Sequence, residues 1–117
     1  MLAGRGAQGE VLHVDRFGNL ISNFPTAWVE PATKRLTLAV ARGRPRRIPW
    51  ATSYESLGRG VLGALGSSFG LVEIAVGEGR ASDRLRANVG TGISLRWSRR
   101  SAVPGETVNS ARPRKRP

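Results

Sequence analysis

Apolar and polar residues alternate along several short segments of the chain, which is the pattern of half-buried β-strands. The clearest case is residues 34–41, KRLTLAVA, where Leu36, Leu38 and Val40 fall on one face. A period of two places these three side chains against a core. The same reasoning predicts five further strands, at residues 9–14, 20–23, 61–65, 71–76 and 93–97.

Glycine, proline and small polar residues separate these segments. We predict a tight turn at residues 15–18 and a hairpin turn at GSSFG, residues 66–70. The segment RGRPRRIPW, residues 42–50, carries four arginines and two prolines, which suits a loop or an edge strand. Residues 80–87 are expected to form one or two helical turns with Ser82 as the N-cap.

These elements predict an all-β fold, a small antiparallel β-barrel or sandwich of about six or seven strands with one short helix. We divide the chain into an N-terminal extension over residues 1–8, one domain over residues 9–97 and a tail over residues 98–117. The tail has almost no apolar periodicity, and we therefore predict that it is disordered and basic.

The charge of the chain raises the question of a polyanionic partner. The formal net charge is +11, and basic surfaces attract nucleic acid or anionic membranes. About half of that charge lies from Arg96 onward, and 17 of the 19 basic residues are arginine. A codon bias of the genome explains such an arginine excess as well as selection for phosphate binding does, so the charge alone assigns no function.

Residue types that the chain lacks exclude several kinds of chemistry. There is no cysteine, which excludes disulfides, thiolate catalysis and the usual structural zinc sites. The single His13 cannot form a multi-histidine metal site. No apolar stretch reaches 18 residues, and the N-terminus lacks the apolar core of a signal peptide. We expect a cytoplasmic protein with no metal and no resident cofactor.

A first candidate site is the basic loop at residues 42–47 with Trp50 close behind, to which the basic tail adds charge. Such a loop can follow a phosphate backbone while the aromatic ring stacks on a base. The competing interpretation is a solvated loop in an arginine-rich protein, and we favour it.

The second candidate is HVDRFGNLISNF, residues 13–24. The Asp15 carboxylate can hold an ammonium group, and Phe17 offers a flat face for a heterocycle. Asn19 presents the donor and acceptor pair that an adenine edge requires, and Gly18 allows the backbone to approach a ligand. The alternative is an Asx-type hairpin turn in which Asp15 and Asn19 bond only their own backbone, and spacing leaves both interpretations open.

Three segments in order, HVDRFGNLISNF, the Ser53-Tyr54 pair of ATSYESLGRG, and SSFGLVEIAVGEGRAS, resemble the C-terminal domain of the S-adenosyl-L-methionine (SAM) hydroxide adenosyltransferases. These SAM hydrolases are related to fluorinase and chlorinase. The resemblance implies conversion of SAM and water to adenosine and L-methionine, with SAM as substrate. It also implies a site between this domain and the N-terminal domain of a neighbouring subunit in a homotrimer.

By position, the resemblance assigns five residues to the adenosine end of the substrate. Asn19 would hydrogen-bond adenine, and Phe17 and Tyr54 would pack against adenosine. Backbone groups near Val76 and Glu78 would complete the contacts of the adenine edge.

The resemblance assigns Asp15 to the methionine ammonium and Ser68 to the methionine end of the ligand. We therefore expect the bends at residues 15–19 and 67–70 to lie side by side around the substrate. Phe69 stands where the family has serine or arginine, which removes a polar group beside the methionine carboxylate.

The N-terminal domain of the family carries the residues that position ribose and activate water, and this chain has no counterpart of them. A single domain that contacts the ligand from one side cannot hold a nucleophile in a pocket from which water is excluded. We therefore expect a detached, truncated or split C-terminal domain that is inactive without a partner N-terminal domain. Two other interpretations are a non-enzymatic basic module that binds nucleic acid and a folded remnant without activity.

Overall fold

The computed structural model describes residues 4–29 and 33–98, which contain seven strands, one α-helix and two short 3-10 helices. The strands are β1 (Gly4–Val14), β2 (Leu20–Pro25), β3 (Arg35–Val40), β4 (Arg46–Pro49), β5 (Leu62–Gly66), β6 (Leu71–Val76) and β7 (Gly92–Ser98). The helix α1 spans Ala81–Leu85, and the 3-10 helices span Thr26–Trp28 and Tyr54–Ser56.

All neighbouring strands pair antiparallel, in the order β4-β3-β7-β1-β2-β6-β5. The two end strands of this sheet approach each other through a parallel bridge between Trp50 and Ala64. The Ala51 N–H donates to the Ala64 carbonyl at 2.7 Å at this point. The sheet is therefore a nearly closed barrel, which confirms the predicted all-β antiparallel fold.

Side chains on the inner face of the strands fill the barrel. Leu36 and Leu38 are each 1% exposed, as their alternation predicts, while Val40 is half-buried against the core. Other strands contribute Val11, Leu20, Phe24, Ile48, Leu62, Ala64, Val72, Ile74, Val76, Ile93 and Leu95. Each valine, leucine, isoleucine or phenylalanine among them contributes about 1.5–3 kcal/mol by leaving water. This burial holds the strands in register and fixes which side chains face outward.

The predicted strands agree with the structure within one or two residues except at the N-terminus. Strand β1 begins at Gly4, so residues 4–8, which we assigned to an extension, pair with β7. The ladder runs from the Gly4–Ser98 pair to the Glu10–Gly92 pair. The sequence GRGAQG has too few apolar residues to indicate a strand, and its pairing depends on β7, which is distant in sequence.

The predicted N-cap of the helix is wrong. Helix α1 begins at Ala81, Arg80 occupies the N-cap position without a side-chain cap, and Ser82 lies inside the helix. The Ser82 N–H donates instead to the Gly18 carbonyl at 2.9 Å. A backbone group from the turn after β1 therefore satisfies this end of the helix.

The predicted disordered tail lies outside the described residues from position 99 onward. Within residues 4–29 and 33–98, no helix is both long and apolar enough to cross a membrane. The same part of the chain contains no group of three or more side chains suited to hold a metal ion.

Candidate functional site on the outer face of the barrel

The turn between β1 and β2 is closed by the Asp15 side chain. The Gly18 N–H donates to the Asp15 carbonyl at 2.9 Å, and Gly18 has a φ of 82°, a left-handed conformation that favours glycine. Asp15 Oδ1 accepts from the backbone N–H groups of Phe17 and Asn19 at 2.8 and 3.0 Å. This arrangement is the Asx turn that we considered from the sequence.

Asn19 differs from an ordinary turn residue because it is only 7% exposed. Its Nδ2 donates to Asp15 Oδ2 at 3.1 Å. Its Oδ1 is buried and has no hydrogen-bond partner among the described residues. A buried acceptor without a donor costs about 1–3 kcal/mol. A further donor at Asn19 Oδ1 would therefore offset this cost.

The outer face of β6 lies beside Asn19. Val72, Ile74 and Val76 of β6 are core residues, so Glu73 and Ala75 face outward. Leu20 pairs with Ile74 and Ile21 with Glu73, which places Asn19 opposite Ala75, one step further along the ladder. Asn19 and Glu73 are therefore diagonal neighbours, with Cα atoms about 7–8 Å apart.

Glu73 is a half-buried carboxylic acid that sequence reasoning did not select. Burial, and secondarily the negative charge of Asp15, raises the pKa of Glu73 above its usual value of 4.5. Its side chain has no hydrogen bond or ion pair within the described part of the chain. The signal that was available is an acid at an outward position of an otherwise apolar strand, LVEIAV.

Tyr54 lies on the same outer face, beside Ala75. Its ring packs against an outer cluster formed by Leu57, Leu65 and Ala75. Its hydroxyl donates to the Val76 carbonyl at 3.2 Å and accepts from the Glu78 N–H at 3.0 Å. The two backbone groups that the resemblance assigns to adenine are thus already bonded to Tyr54, which fixes the segment after β6. We call Asp15, Asn19, Tyr54, Glu73 and Ala75 the outer-face site.

Ser68 lies in a second turn of the same construction. Ser67 Oγ accepts from the Phe69 and Leu71 N–H groups at 3.2 and 3.3 Å, and Gly70 has a φ of 79°. Both turns present an exposed phenylalanine at their third position, Phe17 at 60% and Phe69 at 73% exposed.

The two turns lie at opposite ends of the β2–β6 ladder, so the expectation that they lie side by side is wrong. The Thr26 N–H, just after β2, donates to the Gly70 carbonyl at 2.8 Å, whereas the other turn precedes Leu20. The five residue steps along β2 amount to roughly 17 Å. Each turn precedes the second strand of its hairpin, and these second strands, β2 and β6, are antiparallel. Their turns must therefore point in opposite directions.

The remaining predicted residues gather at one end of the barrel. A Cβ atom on Gly18 would lie 2.7 Å from Arg80 Cβ, so the first turn packs against the chain just beyond β6. Val76, Glu78 and Tyr54 belong to the same end through the Tyr54 hydroxyl. The structure thus brings together all the predicted site residues except Ser68.

An open cavity of about 410 Å³ lies beyond this end, between the segment at Arg59, the loop after β6 and helix α1. Its arginines already bond protein atoms. Arg59 Nε lies 3.0 Å from Glu78 Oε1, and Arg80 Nε lies 3.4 Å from Asp83 Oδ2. Arg84 Nη2 donates to the Gly60 carbonyl at 2.7 Å.

The basic loop at residues 42–47 is exposed, and part of it forms the edge strand β4. Trp50, which we considered as a stacking platform, is half-buried and packs against the barrel core. The stacking part of that interpretation is therefore not supported by the position of the ring.

Fold and site together define a small antiparallel barrel domain with a half-buried polar site on its outer face. The sequence model of the SAM hydroxide adenosyltransferase C-terminal domain matches residues 9–94. The chain belongs to this family, which confirms the resemblance.

Two solved structures are similar to the chain. An uncharacterized conserved protein from Thermotoga maritima matches with a TM-score of 0.70 and 29% identity. A conserved hypothetical protein from Thermus thermophilus matches with a TM-score of 0.61 and 32% identity. Each match covers 77% of this chain but only 35% of the solved chain, so the chain spans about a third of those proteins. A comparison with curated proteins gave no match.

Proposed function

We propose that this domain binds the adenosine part of SAM at the outer-face site and forms one wall of a SAM hydrolase site. The observation that carries the proposal is the buried, unpaired Oδ1 of Asn19. The amino group of adenine is a donor that can satisfy it, and the second N–H of Asn19 Nδ2 remains free for an adenine ring nitrogen. Family membership over residues 9–94 supports this choice of ligand.

Aromatic surface for the base is close to Asn19. Phe17 is 60% exposed, and the Arg16 guanidinium carbon lies 5.0 Å from its ring centroid. One face of the ring is thus covered by a cation, and the other is open to a base. Stacking of a base on an aromatic ring contributes about 1–3 kcal/mol. Tyr54 is half-buried and limits the site on the side of Ala75.

The methionine end of the substrate is harder to assign. The ammonium and carboxylate of methionine are attached to the same carbon atom, whereas Asp15 and Ser68 lie at opposite ends of a ladder of roughly 17 Å. Their joint assignment to this end of the ligand therefore loses its geometric support. Ser68 of this chain remains a proposed contact only for a ligand that lies extended along β2 and β6.

Hydrolysis of SAM needs a second protein domain that covers the open side of the ligand. The outer-face site lies on the surface of one domain, and hydrolysis needs a water held in position in a pocket closed to bulk solvent. The two solved relatives contain 65% of chain without a counterpart here. We propose that an N-terminal domain of this kind, in a homotrimer, supplies the groups that position ribose and water. SAM and water would then give adenosine and L-methionine.

The first test is titration of the ¹⁵N-labelled chain with adenosine, followed by NMR. We expect shifts of the Asn19 side-chain amide and of the Phe17 and Tyr54 backbone amides, with the Ser68 turn unchanged, because these groups lie at opposite ends of the ladder. The absence of shifts at millimolar adenosine would contradict the proposal. Adenosine release from SAM is expected only after addition of the separately expressed part of the Thermotoga maritima relative that has no counterpart in this chain.

A second candidate function, binding of nucleic acid, is favoured by one observation. Thr37 pairs with Arg47 on β4 and with Arg96 on β7, so two exposed arginines flank it in one cross-strand row. Strands β3, β4 and β7 contain no acidic residue, and neither arginine forms an ion pair within residues 4–29 and 33–98.

Replacing both arginines of this row with glutamine tests the second candidate. If the row contacts phosphates, affinity for single-stranded RNA falls, and the slope of log affinity against log salt decreases by about one unit per arginine. Arg59→Gln is the control, because Arg59 is already paired with Glu78. Equal losses in the control and the double variant, or no RNA binding by the original chain, would exclude this function.

A further inference from the structure

We propose that Glu73, rather than Asp15, receives the positive charge of the ligand and makes the outer-face site selective for a sulfonium nucleoside over its neutral thioether. The inference rests on the proposed binding of adenosine at this site. It changes the carboxylate that recognises the cation, and it names a residue that neither the motif nor the family resemblance assigned.

Asp15 is largely occupied by its own turn. Its Oδ1 accepts two backbone N–H groups, those of Phe17 and Asn19, and its Oδ2 accepts the Asn19 side-chain amide. These three bonds hold the turn closed. A ligand cation at Asp15 would have to share an oxygen with these donors, so the principal role of Asp15 is to shape the turn and orient Asn19.

The Glu73 carboxylate accepts no such hydrogen bonds within the described part of the chain. Two other acids near this end of the barrel are paired, Glu78 with Arg59 and Asp83 with Arg80. Glu10 and Glu55 are exposed to solvent. Glu73 is half-buried and carries no ion pair within the described part of the chain. It is thus the carboxylate here that gains most from a cation.

The position of Glu73 suits the sulfonium group. Asn19, whose unpaired Oδ1 would receive adenine, is the diagonal neighbour of Glu73 across the β2–β6 ladder, about 7–8 Å away between Cα atoms. In SAM, only the ribose separates the sulfur from the base, whereas the ammonium nitrogen lies four bonds beyond the sulfur. A base at Asn19 therefore places the sulfur near Glu73.

The charges around the outer-face site also favour Glu73 as the group that receives the cation. The protein as a whole is strongly positive, yet Glu73 lies close enough to Asp15 for the charge of Asp15 to raise the pKa of Glu73, after the larger effect of burial. A cation between them would relieve both the repulsion and the cost of burying the carboxylate. His13 also lies on this face, because it pairs with Ile21 in the same cross-strand row, while Ile21 and Leu65 flank Glu73 directly.

The test compares three ligands: adenosine, SAM and S-adenosyl-L-homocysteine, whose sulfur is neutral. The original chain is expected to bind SAM more tightly than the thioether by roughly threefold to tenfold, the range for a partly solvated charge pair. In Glu73→Gln this ratio falls to about one. Asp15→Asn keeps an oxygen acceptor for the turn and is expected to change the ratio less.

The outcomes separate this inference from the proposed function. If the original chain and the variants bind adenosine but Glu73→Gln keeps the SAM preference, the inference is overturned and adenosine binding stands. A larger loss of preference in Asp15→Asn than in Glu73→Gln also overturns it. If the original chain binds none of the three ligands, both the inference and the proposed function fail.

A stability measurement shows that Glu73→Gln is folded. Because the pKa of Glu73 is higher in the folded state than in the unfolded state, the folded state binds more protons at pH values between 4.5 and the raised pKa. The contribution of Glu73 to the stability of the original chain is therefore greatest below pH 4.5. It is lost as the pH rises through the raised pKa. Glu73→Gln lacks that loss, so its Tm should exceed that of the original chain at neutral pH, and the difference should disappear in acid.

Discussion

Gly77→Ala is expected to destabilise the barrel by about 3 kcal/mol or more. A Cβ atom at this position would overlap the Gly58 carbonyl oxygen and lie 2.9 Å from the Leu57 carbonyl oxygen. Both are backbone atoms, which cannot rotate away as a side chain can. The strand would have to move, and two backbone hydrogen bonds would break, from Gly77 to Val61 and from Gly60 to Gly77.

Urea unfolding followed by tryptophan fluorescence measures this loss, which is a large part of the roughly 5–15 kcal/mol typical of a small domain. Gly92→Ala is the matched control, since its added Cβ would meet only the Gly9 carbonyl oxygen, at 3.9 Å. We expect a change below about 1 kcal/mol there. Similar unfolding midpoints in urea for the two variants would show that the backbone at Gly58 adjusts to the added Cβ atom without loss of stability. That result would contradict the prediction.

Asn19→Ala is expected to weaken adenosine binding by about tenfold to hundredfold, the range for losing a two-point contact to an adenine edge. The effect on stability should be much smaller. The substitution removes a bond to Asp15, but it also removes a buried acceptor that has no partner among the described residues. NMR titration and urea unfolding on the same samples separate affinity from stability.

Asn23→Ala provides the control for this variant. Asn23 follows on the same strand, and its Oδ1 accepts the Glu10 N–H at 3.0 Å. The control should therefore lose stability while its adenosine affinity stays unchanged. If both variants lost affinity equally, the effect would come from distortion of β2, and the direct contact with Asn19 would be contradicted.

Much of the fold is predictable because the barrel follows local patterns. The alternation that points Leu36 and Leu38 inward, the prolines that confine β4 to an edge and the glycine-rich turns all act over a few residues. Strand β1 from Gly4 to Gln8 is the exception, since its residues are mostly glycine or polar and are held by β7. Pairing between distant segments leaves no local signal.

The site was predictable only where one segment forms it. The motif around Asp15 and Asn19 indicates both the turn and its polar groups, and the structure retains them. Glu73 was missed because its proximity to Asn19 depends on the register between β2 and β6. The same antiparallel pairing separates the two turns, which sequence reasoning placed together. Order along the chain does not specify which ends of two hairpins meet.

The turn after β1 is also attached to helix α1. The Gly18 carbonyl accepts the Ser82 N–H at 2.9 Å, and the Arg16 carbonyl accepts from Arg80 Nη1 at the same distance. A deletion or insertion in this turn would displace both carbonyls and leave the start of the helix unsupported. Loop length here is therefore constrained by folding, even in a descendant that had lost its ligand. Preservation of that length across relatives would not in itself be a sign of binding.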